Sequence, residues 1–197
     1  MSGVVERWAR DTARAAVGVA GAFAGMKAIE VLRPPVIAGD ATAPENDVGM
    51  RELPRAYFFS AGAVVAAPAL GGPTLPRVCG PLGLLLEVAS VGLRVWAMRT
   101  LQGHYAHTLR VVDDQPVIRD GPYRYVRHPG YLSVVLLWFG AALSSRTVVA
   151  PALTLTAVGT AYRHRMDAED ALLRRELPGY AEYAATTGRL VPRPGGR

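Results

Sequence analysis

The sequence predicts an all-α fold, namely a polytopic membrane bundle of about five transmembrane helices. Half of its 197 residues are hydrophobic, and the charged residues are unevenly placed along the chain. Residues 56–76 contain no charged side chain, and residues 131–162 contain only Arg146. Because each surface helix of a soluble domain needs a polar face, such stretches indicate contact with lipid.

The N-terminal part, residues 1–98, is expected to supply the first three transmembrane helices. Its apolar segments lie at residues 14–32, 56–70 and 78–98. Gly21 and Gly25 in the first segment have a spacing that lets another helix approach closely, although an alanine-rich filler would have the same composition.

The single domain predicted for residues 1–197 continues with a polar, basic stretch at 99–130 and a helical hairpin at 131–162. Arg146 marks the turn between two arms of about 15 apolar residues each. Each arm is shorter than the ~20 residues needed to cross a bilayer upright. The last helix is expected to continue to Leu177 as an amphipathic stem, because Pro178 and Gly179 then end it.

The positive charge comes almost entirely from arginine, which is concentrated at the ends of the apolar segments. A nucleic-acid-binding surface would instead carry a basic stripe among aromatic residues, so no nucleic-acid partner is expected. The lone cysteine, Cys79, excludes an internal disulfide. No Cys/His spacing indicates a metal site.

The arginine distribution also predicts the orientation of an integral membrane protein, in the inner membrane if the protein is bacterial. Residues 99–130 and the tail after Tyr162 are the most basic parts and should face the cytosol. Five spans then place the N-terminus outside, whereas Arg7, Arg10 and Arg14 favour the inside. The first segment therefore either spans the membrane or lies on its interface.

A first cluster of polar and aromatic residues is the turn Gly121-Pro-Tyr-Arg-Tyr-Val-Arg-His-Pro-Gly-Tyr131. Pro129 suits the first turn of a helix, and it biases His128 to extended geometry just before that helix. Free N–H groups at the helix start favour a carboxylate, and tyrosine rings suit an adenine ring or a sulfonium cation. An aromatic and arginine belt at the membrane interface would have the same composition.

A second cluster lies on the last helix, where Arg165 and Glu169 are one turn apart and face the same way. An exposed pair of this kind contributes roughly a few tenths of a kcal/mol. This pair follows closely after the membrane exit, where it can cover a site above the hairpin. Glu169 can accept hydrogen bonds from an ammonium group or ribose hydroxyls, and Arg165 can orient an anionic acceptor.

Together the two clusters resemble the isoprenylcysteine carboxyl methyltransferase family and the related phospholipid N-methyltransferases. The resemblance covers roughly residues 115–192. It rests on Gly-Pro-Tyr-x-Tyr-x-Arg-His-Pro-x-Tyr, an apolar hairpin, then Arg-x-x-x-Glu-acid-x-x-Leu and Gly-Tyr-x-x-Tyr. It implies that S-adenosylmethionine binds on the cytosolic side beneath the C-terminal segment, and that residues 99–197 are the catalytic half.

Carried over by position, the resemblance implies that Arg165 holds the acceptor carboxylate. It implies cofactor contacts from Gln115, Pro116, Val117, Ile118, Tyr123, His128, Pro129, Gly130, Tyr131 and Glu169. The family's paired glutamates are Glu169 and Asp170 here, which preserves both charges. Its frequent His-x-Leu-Val is Gln-Pro-Val-Ile at residues 115–118, so a histidine contact is missing or replaced.

The resulting hypothesis is methyl transfer to the carboxylate of an isoprenoid, lipidated or otherwise lipophilic acceptor at the bilayer. A carboxylate is already ionised at neutral pH, so no general base is required. This agrees with the absence of an obvious histidine–acid dyad. Phospholipid N-methylation, an NADPH-dependent sterol-type reductase and a non-catalytic membrane scaffold remain alternatives, because the N-terminal half carries no motif that identifies an acceptor.

Overall fold

The computed structural model describes residues 2–33, 51–102 and 116–194. These residues form six α-helices and a short 3-10 helix, Gly121–Arg124, and no β-strand is found among them. The all-α class is therefore confirmed for the described part of the chain. The helices are α1 (Ser2–Val31), α2 (Glu52–Leu70), α3 (Cys79–Leu101), α4 (Pro129–Ser144), α5 (Val149–Glu176) and α6 (Tyr180–Thr186).

Each apolar segment predicted from the sequence forms a helix, with differences at the ends. α1 begins at Ser2, well before the predicted start at residue 14, because its polar first turns continue the same helix. α5 is a single helix that carries both the apolar second arm of the hairpin and the charged stem. The hairpin turn lies at Arg146, as predicted, and this residue has a positive φ of 56°.

Two helices of the described residues, α2 and α3, are long and apolar enough to cross a membrane by length and composition. α4 is apolar but has only 16 residues. The count of about five transmembrane helices therefore stays a prediction.

α4 lies at the centre of the bundle and packs against α1, α2, α3 and α5. Its Leu137 and Trp138 side chains are completely buried. The Trp138 ring stacks on Tyr57 of α2 with centroids 5.4 Å apart, and Phe23 of α1 meets it edge-on. These aromatic contacts fix α1 and α2 against the central helix.

Glycines allow the closest helix approaches in the bundle. A β-carbon added to Gly140 of α4 would lie 2.6 Å from the carbonyl oxygen of Gly83 on α3, so larger residues would force the two helices apart. In α1, Gly21 faces Glu87 of α3, and Gly25 faces Leu137 of α4. The glycine spacing in the first segment is therefore used for close packing, which excludes the filler interpretation.

The outward faces of α2 and α3 are apolar. Phe58 on α2 and Leu85 and Val88 on α3 each expose about two thirds of their surface. A continuous apolar exterior of this kind is unfavourable in water and suits contact with lipid chains.

Candidate active site

The turn before α4 is anchored on the end of α3. Gly121 has a φ of 54°, in the left-handed region that favours glycine. A β-carbon at this position would also lie 2.5 Å from the Thr100 hydroxyl and 3.0 Å from the Trp96 indole nitrogen. The sequence therefore needs glycine here for both its conformation and its close packing, and the turn is held at one end of the bundle.

α4 begins at Pro129, as the sequence predicts, and the carbonyl of His128 accepts the backbone N–H groups of Tyr131 and Leu132. The C-terminal tail runs alongside this turn. The Arg127 N–H donates to the Gly188 carbonyl at 2.8 Å, and the His128 N–H donates to the Arg189 carbonyl at 3.1 Å. The backbone of the tail therefore also holds the turn in place.

Asp170 of α5 is the centre of a buried ionic network. Arg127 Nη2 donates to its Oδ2 at 2.9 Å, and Arg189 Nε donates to the same oxygen at 2.8 Å. Its Oδ1 lies 3.0 Å from His128 Nε2 and accepts a 2.6 Å hydrogen bond from the Tyr180 hydroxyl. One carboxylate thus joins the turn, α5, α6 and the tail.

The network controls the ionisation of Asp170. Burial alone raises the pKa of a carboxyl group, but hydrogen bonds from His128, Arg127 and Tyr180 hold the Asp170 pKa well below its usual value. Burial and the hydrogen bond to Asp170 in turn raise the pKa of Tyr180. Asp170 is therefore charged, and Tyr180 neutral, under ordinary conditions.

Tyr131 connects the two predicted clusters. Its hydroxyl donates a short hydrogen bond to Glu169 Oε2 and accepts one from Arg165 Nε at 3.1 Å. Its ring stacks on the His128 imidazole at a centroid distance of 5.4 Å. His128 Nδ1 lies 3.8 Å from Glu169 Oε2. The structure thus brings together four of the predicted site residues: His128, Tyr131, Arg165 and Glu169.

The remaining predicted residues lie around this centre. Val117 packs on the apolar cluster of Leu177 and α6, and the Tyr123 carbonyl accepts a hydrogen bond from the Tyr183 hydroxyl at 2.6 Å. Pro129 is buried, Ile118 is half-buried and Pro116 is exposed. Gln115 lies outside the described residues.

One expectation about this site is wrong. The sequence showed no obvious histidine–acid dyad, yet His128 and Asp170 form one. The two residues are 42 positions apart, so only the return of α5 to the turn brings them together.

The adjacent carboxylates Asp170 and Glu169 point in different directions from α5. The Asp170 side chain is 4% exposed, whereas the Glu169 side chain is 27% exposed. Adjacent helix positions point about 100° apart, which explains the separation of the two carboxylates.

Three further polar residues that belong to neither motif reach the site. Arg94 of α3 is buried against the first turn of α4, where a β-carbon on Gly130 would lie 2.5 Å from its Nη1. The hydroxyl groups of Tyr57 on α2 and Tyr162 on α5 lie 2.5 Å apart. The one signal in the sequence for Arg94 was an arginine inside an apolar helix, which usually faces protein or a cavity.

Residues 83–175 match the model of the isoprenylcysteine carboxyl methyltransferase (ICMT) family. The chain is also 30% identical over 113 residues to the cobalt-zinc-cadmium resistance protein CzcN of Cupriavidus metallidurans. That alignment covers 57% of this chain and 48% of CzcN, so the chain spans about half the length of this curated relative. The family match runs from α3 into α5 and includes the turn, Arg165 and Glu169. The resemblance to the ICMT family predicted from the two motifs is therefore confirmed, and residues 83–175 carry it.

Proposed function

We propose that this protein is an S-adenosylmethionine-dependent membrane methyltransferase that methylates the carboxylate of an isoprenoid or other lipophilic acceptor. The observation that carries the proposal is the Tyr131 hydroxyl, which bonds both Glu169 and Arg165. The group expected to bind the cofactor and the group expected to bind the acceptor are thus held by a single oxygen atom. The family match supports the coarser conclusion, a membrane methyltransferase.

The chemistry of the site suits S-adenosylmethionine. Glu169 keeps a partly exposed carboxylate for an ammonium group or ribose hydroxyls, and the start of α4 supplies N–H groups for a carboxylate. The stacked faces of His128 and Tyr131 suit a sulfonium cation. When bound, the cofactor would supply an electrophilic methyl group. The residues named here would hold it and orient it.

The chain itself has to position the acceptor and exclude water. Arg165 is 3% exposed, so its guanidinium is desolvated and can bind a carboxylate more strongly than it would at the surface. An ionised carboxylate attacks without losing a proton, so the reaction needs no general base. Rate enhancement then comes from orientation in a dry site.

The His128–Asp170 dyad does not contradict this mechanism, because Asp170 is committed to structural contacts. Its two oxygens already accept hydrogen bonds from Arg127, Tyr180 and Arg189. We assign His128 as a positioning residue whose ring supports Tyr131 and faces Glu169. Asp170 then holds the imidazole at the correct angle.

The membrane assignment rests on the apolar exteriors of α2 and α3 and on the family match. We place the site at the cytosolic surface, because the turn, the stem of α5 and the tail are rich in arginine. The proposed bundle has about five spans. It includes the hairpin of α4 and the apolar part of α5, which end at the site.

Binding measurements distinguish this function from the alternatives. Isothermal titration of the detergent-purified protein with S-adenosylhomocysteine and with NADPH should give binding of S-adenosylhomocysteine alone. Binding of NADPH alone would support a reductase and contradict the methyltransferase. Binding of neither would support a non-catalytic scaffold. The same titration with lipophilic acids and with lipophilic amines separates the two methylation reactions. Binding of the acids supports O-methylation, and binding of the amines supports N-methylation.

A further inference from the structure

We propose that Glu87 is a proton-binding site inside the helix bundle, and that the bound proton holds α1 against α3 and α4. The inference goes beyond the proposed methyl transfer. Glu87 faces Gly140, which lies eleven residues after the start of α4 at Pro129 and therefore about 16 Å from the turn along the helix. The inference rests on the burial of the Glu87 carboxyl group, on its lack of a partner and on the glycines around it.

Glu87 lies on α3 at the point where three helices meet, and it is 5% exposed. On α4, a β-carbon added to Gly140 would lie 3.0 Å from Glu87 Cγ. On α1, a β-carbon added to Gly21 would overlap with Glu87 Oε2. Neither position has room for a larger side chain unless Glu87 moves. The two glycines therefore form a close-fitting site for this carboxyl group.

The carboxyl group of Glu87 has no partner that would stabilise a negative charge. Its Oε1 is buried and accepts no hydrogen bond, and no ion pair of Glu87 is found within residues 2–33, 51–102 and 116–194. Ser90 Oγ donates at 2.7 Å to the backbone carbonyl of Glu87 and not to its carboxyl group. An ionised carboxylate in such a place is strongly unfavourable, whereas the protonated acid is neutral. The folded protein therefore holds this group in its protonated form.

The helices packed around Glu87 bring no charged side chain to it. α4 contains no charged residue. On α1, the charged residues before and after Gly21 are Arg14 and Lys27, which lie seven and six positions away, or about 10 Å along the helix. On α3, the nearest charged residue is Arg94, seven positions after Glu87. A proton is therefore the ligand that these surroundings favour.

The proton also supplies a contact between the helices. A protonated carboxyl group has an O–H that can donate a hydrogen bond, and at Gly21 it meets the backbone of α1 directly. Because Gly21 has no side chain, the acceptors that α1 offers there are backbone carbonyl oxygens. Loss of the proton replaces the donor by a negative charge, which repels these oxygens and attracts water. The contact of α1 is therefore stable while the proton is bound, and it weakens as the pH rises.

Infrared spectroscopy of the full-length protein in detergent tests for the proton. At about pH 6, aspartate and glutamate side chains in water are ionised, so the C=O stretching band of a protonated carboxyl group has to come from a shielded site. The wild-type protein should show this band, and labelling of glutamate with carbon-13 should shift it. Glu87→Gln should lack the band. Glu52→Gln is the matched control, since Glu52 is exposed at the start of α2, and it should retain the band.

Hydrogen exchange of the α1 backbone amides tests the link between the proton and helix packing. Glutamine has the shape of the protonated acid and keeps a hydrogen-bond donor, so α1 should exchange within about twofold of the wild-type rate in Glu87→Gln at about pH 6. At about pH 9, α1 should exchange at least about tenfold faster in the wild-type protein than in Glu87→Gln. Glu52→Gln should follow the wild-type protein at both pH values.

The inference is overturned if the wild-type protein lacks the band of a protonated glutamate, or if folded Glu87→Gln keeps it. Equal exchange of α1 in the two proteins at about pH 9 overturns the role of the proton in helix packing. If Glu87→Gln does not fold, the wild-type protein labelled with carbon-13 glutamate decides. Absence of a glutamate band, or exchange of α1 that does not follow the loss of that band with rising pH, overturns the inference equally. None of these outcomes depends on the binding of S-adenosylhomocysteine.

Discussion

His128 Nε2 lies 3.0 Å from Asp170 Oδ1, and this contact connects the turn before α4 to the charged stem of α5. The same carboxylate holds Arg127, Tyr180 and Arg189, so the C-terminal segment is closed over the turn by ionic contacts. Its neighbour Glu169 approaches this network at His128, whose Nδ1 lies 3.8 Å from Glu169 Oε2. The Glu169 carboxylate accepts its hydrogen bond from the Tyr131 hydroxyl. Adjacent acids therefore have different roles: Asp170 fixes the architecture and Glu169 serves the site.

Removing the Asp170 charge should destabilise the site strongly. Asp170→Asn leaves Arg127, with a side chain 7% exposed, without its buried ionic partner, at a cost of about 3–5 kcal/mol. The melting temperature in detergent should fall, and affinity for S-adenosylhomocysteine should fall with it. Asp167→Asn is the matched control, because the Asp167 side chain is 51% exposed, and it should change stability by less than about 0.5 kcal/mol. Equal melting temperatures for the two variants would contradict the conclusion that Asp170 stabilises the site.

Stability should also depend on pH through Asp170. Its pKa is lowered on folding, so its contribution is fully present above the unfolded value of about 4 and is lost as pH falls toward the folded value. The melting temperature of the wild-type protein should therefore approach that of Asp170→Asn as the pH is lowered below about 4. Melting curves of both proteins over an acid pH series test this. A constant difference between them at all pH values would be inconsistent with a lowered Asp170 pKa.

The hydroxyl of Tyr131 should matter for binding and turnover together. Tyr131→Phe keeps the stacked ring but removes the bonds to Glu169 and Arg165. Hydrogen bonds to charged groups contribute about 1.5–3 kcal/mol, so kcat/KM should fall roughly tenfold to a hundredfold. Tyr125→Phe provides the control, since Tyr125 is 55% exposed on the same turn and should keep wild-type kinetics. Wild-type kinetics in Tyr131→Phe would show that the hydroxyl does not organise the site.

Glu169 and Arg165 should affect different substrates. Glu169→Gln removes the negative charge expected to meet the cofactor, so affinity for S-adenosylhomocysteine should fall by about tenfold or more. Arg165→Ala should leave that affinity nearly unchanged and raise the KM for the acceptor acid. The exposed Glu182 on α6 gives the control variant Glu182→Gln. The reverse pattern, with the cofactor lost in Arg165→Ala, would exchange the two assignments.

The orientation in the membrane can be tested with the single cysteine. Cys79 begins α3 at the end opposite the Arg-rich turn, so a membrane-impermeant maleimide should label it in intact cells. A matched protein with Cys79→Ser and Arg175→Cys carries its thiol on the exposed stem of α5. This thiol should react only after the cells are permeabilised. Labelling of the second protein alone in intact cells would invert the proposed orientation.

The helices and the central residues of the site could be predicted from the sequence because each depends on a local sequence pattern. The apolar segments predicted α2 to α5, Pro129 marked the start of α4, and the spacing of Arg165 and Glu169 placed both on one helix face. The two motifs also led to the family that residues 83–175 match.

Contacts between distant segments could not be predicted from the sequence, because no local pattern indicates which helix faces pack together. The role of Asp170 depends on the return of α5 to the turn and on Arg189 in the tail, 19 residues later. Glu87 and Arg94 illustrate the same limit, because their spacing of seven residues puts them on one face of α3 but does not say which part of α4 each one meets. The structure places Glu87 against Gly140 and Arg94 against Gly130, ten positions apart on α4.

The most direct test of the account is methyl transfer itself. The full-length protein in liposomes is incubated with S-adenosylmethionine labelled in the methyl group and with S-farnesylthiopropionic acid, and the lipid-soluble product is treated with base. We expect label in a base-labile methyl ester, lost in Arg165→Ala and Glu169→Gln and retained in Glu182→Gln. No transfer to the acid, or label that resists base as an N-methyl group does, would contradict a carboxyl methyltransferase.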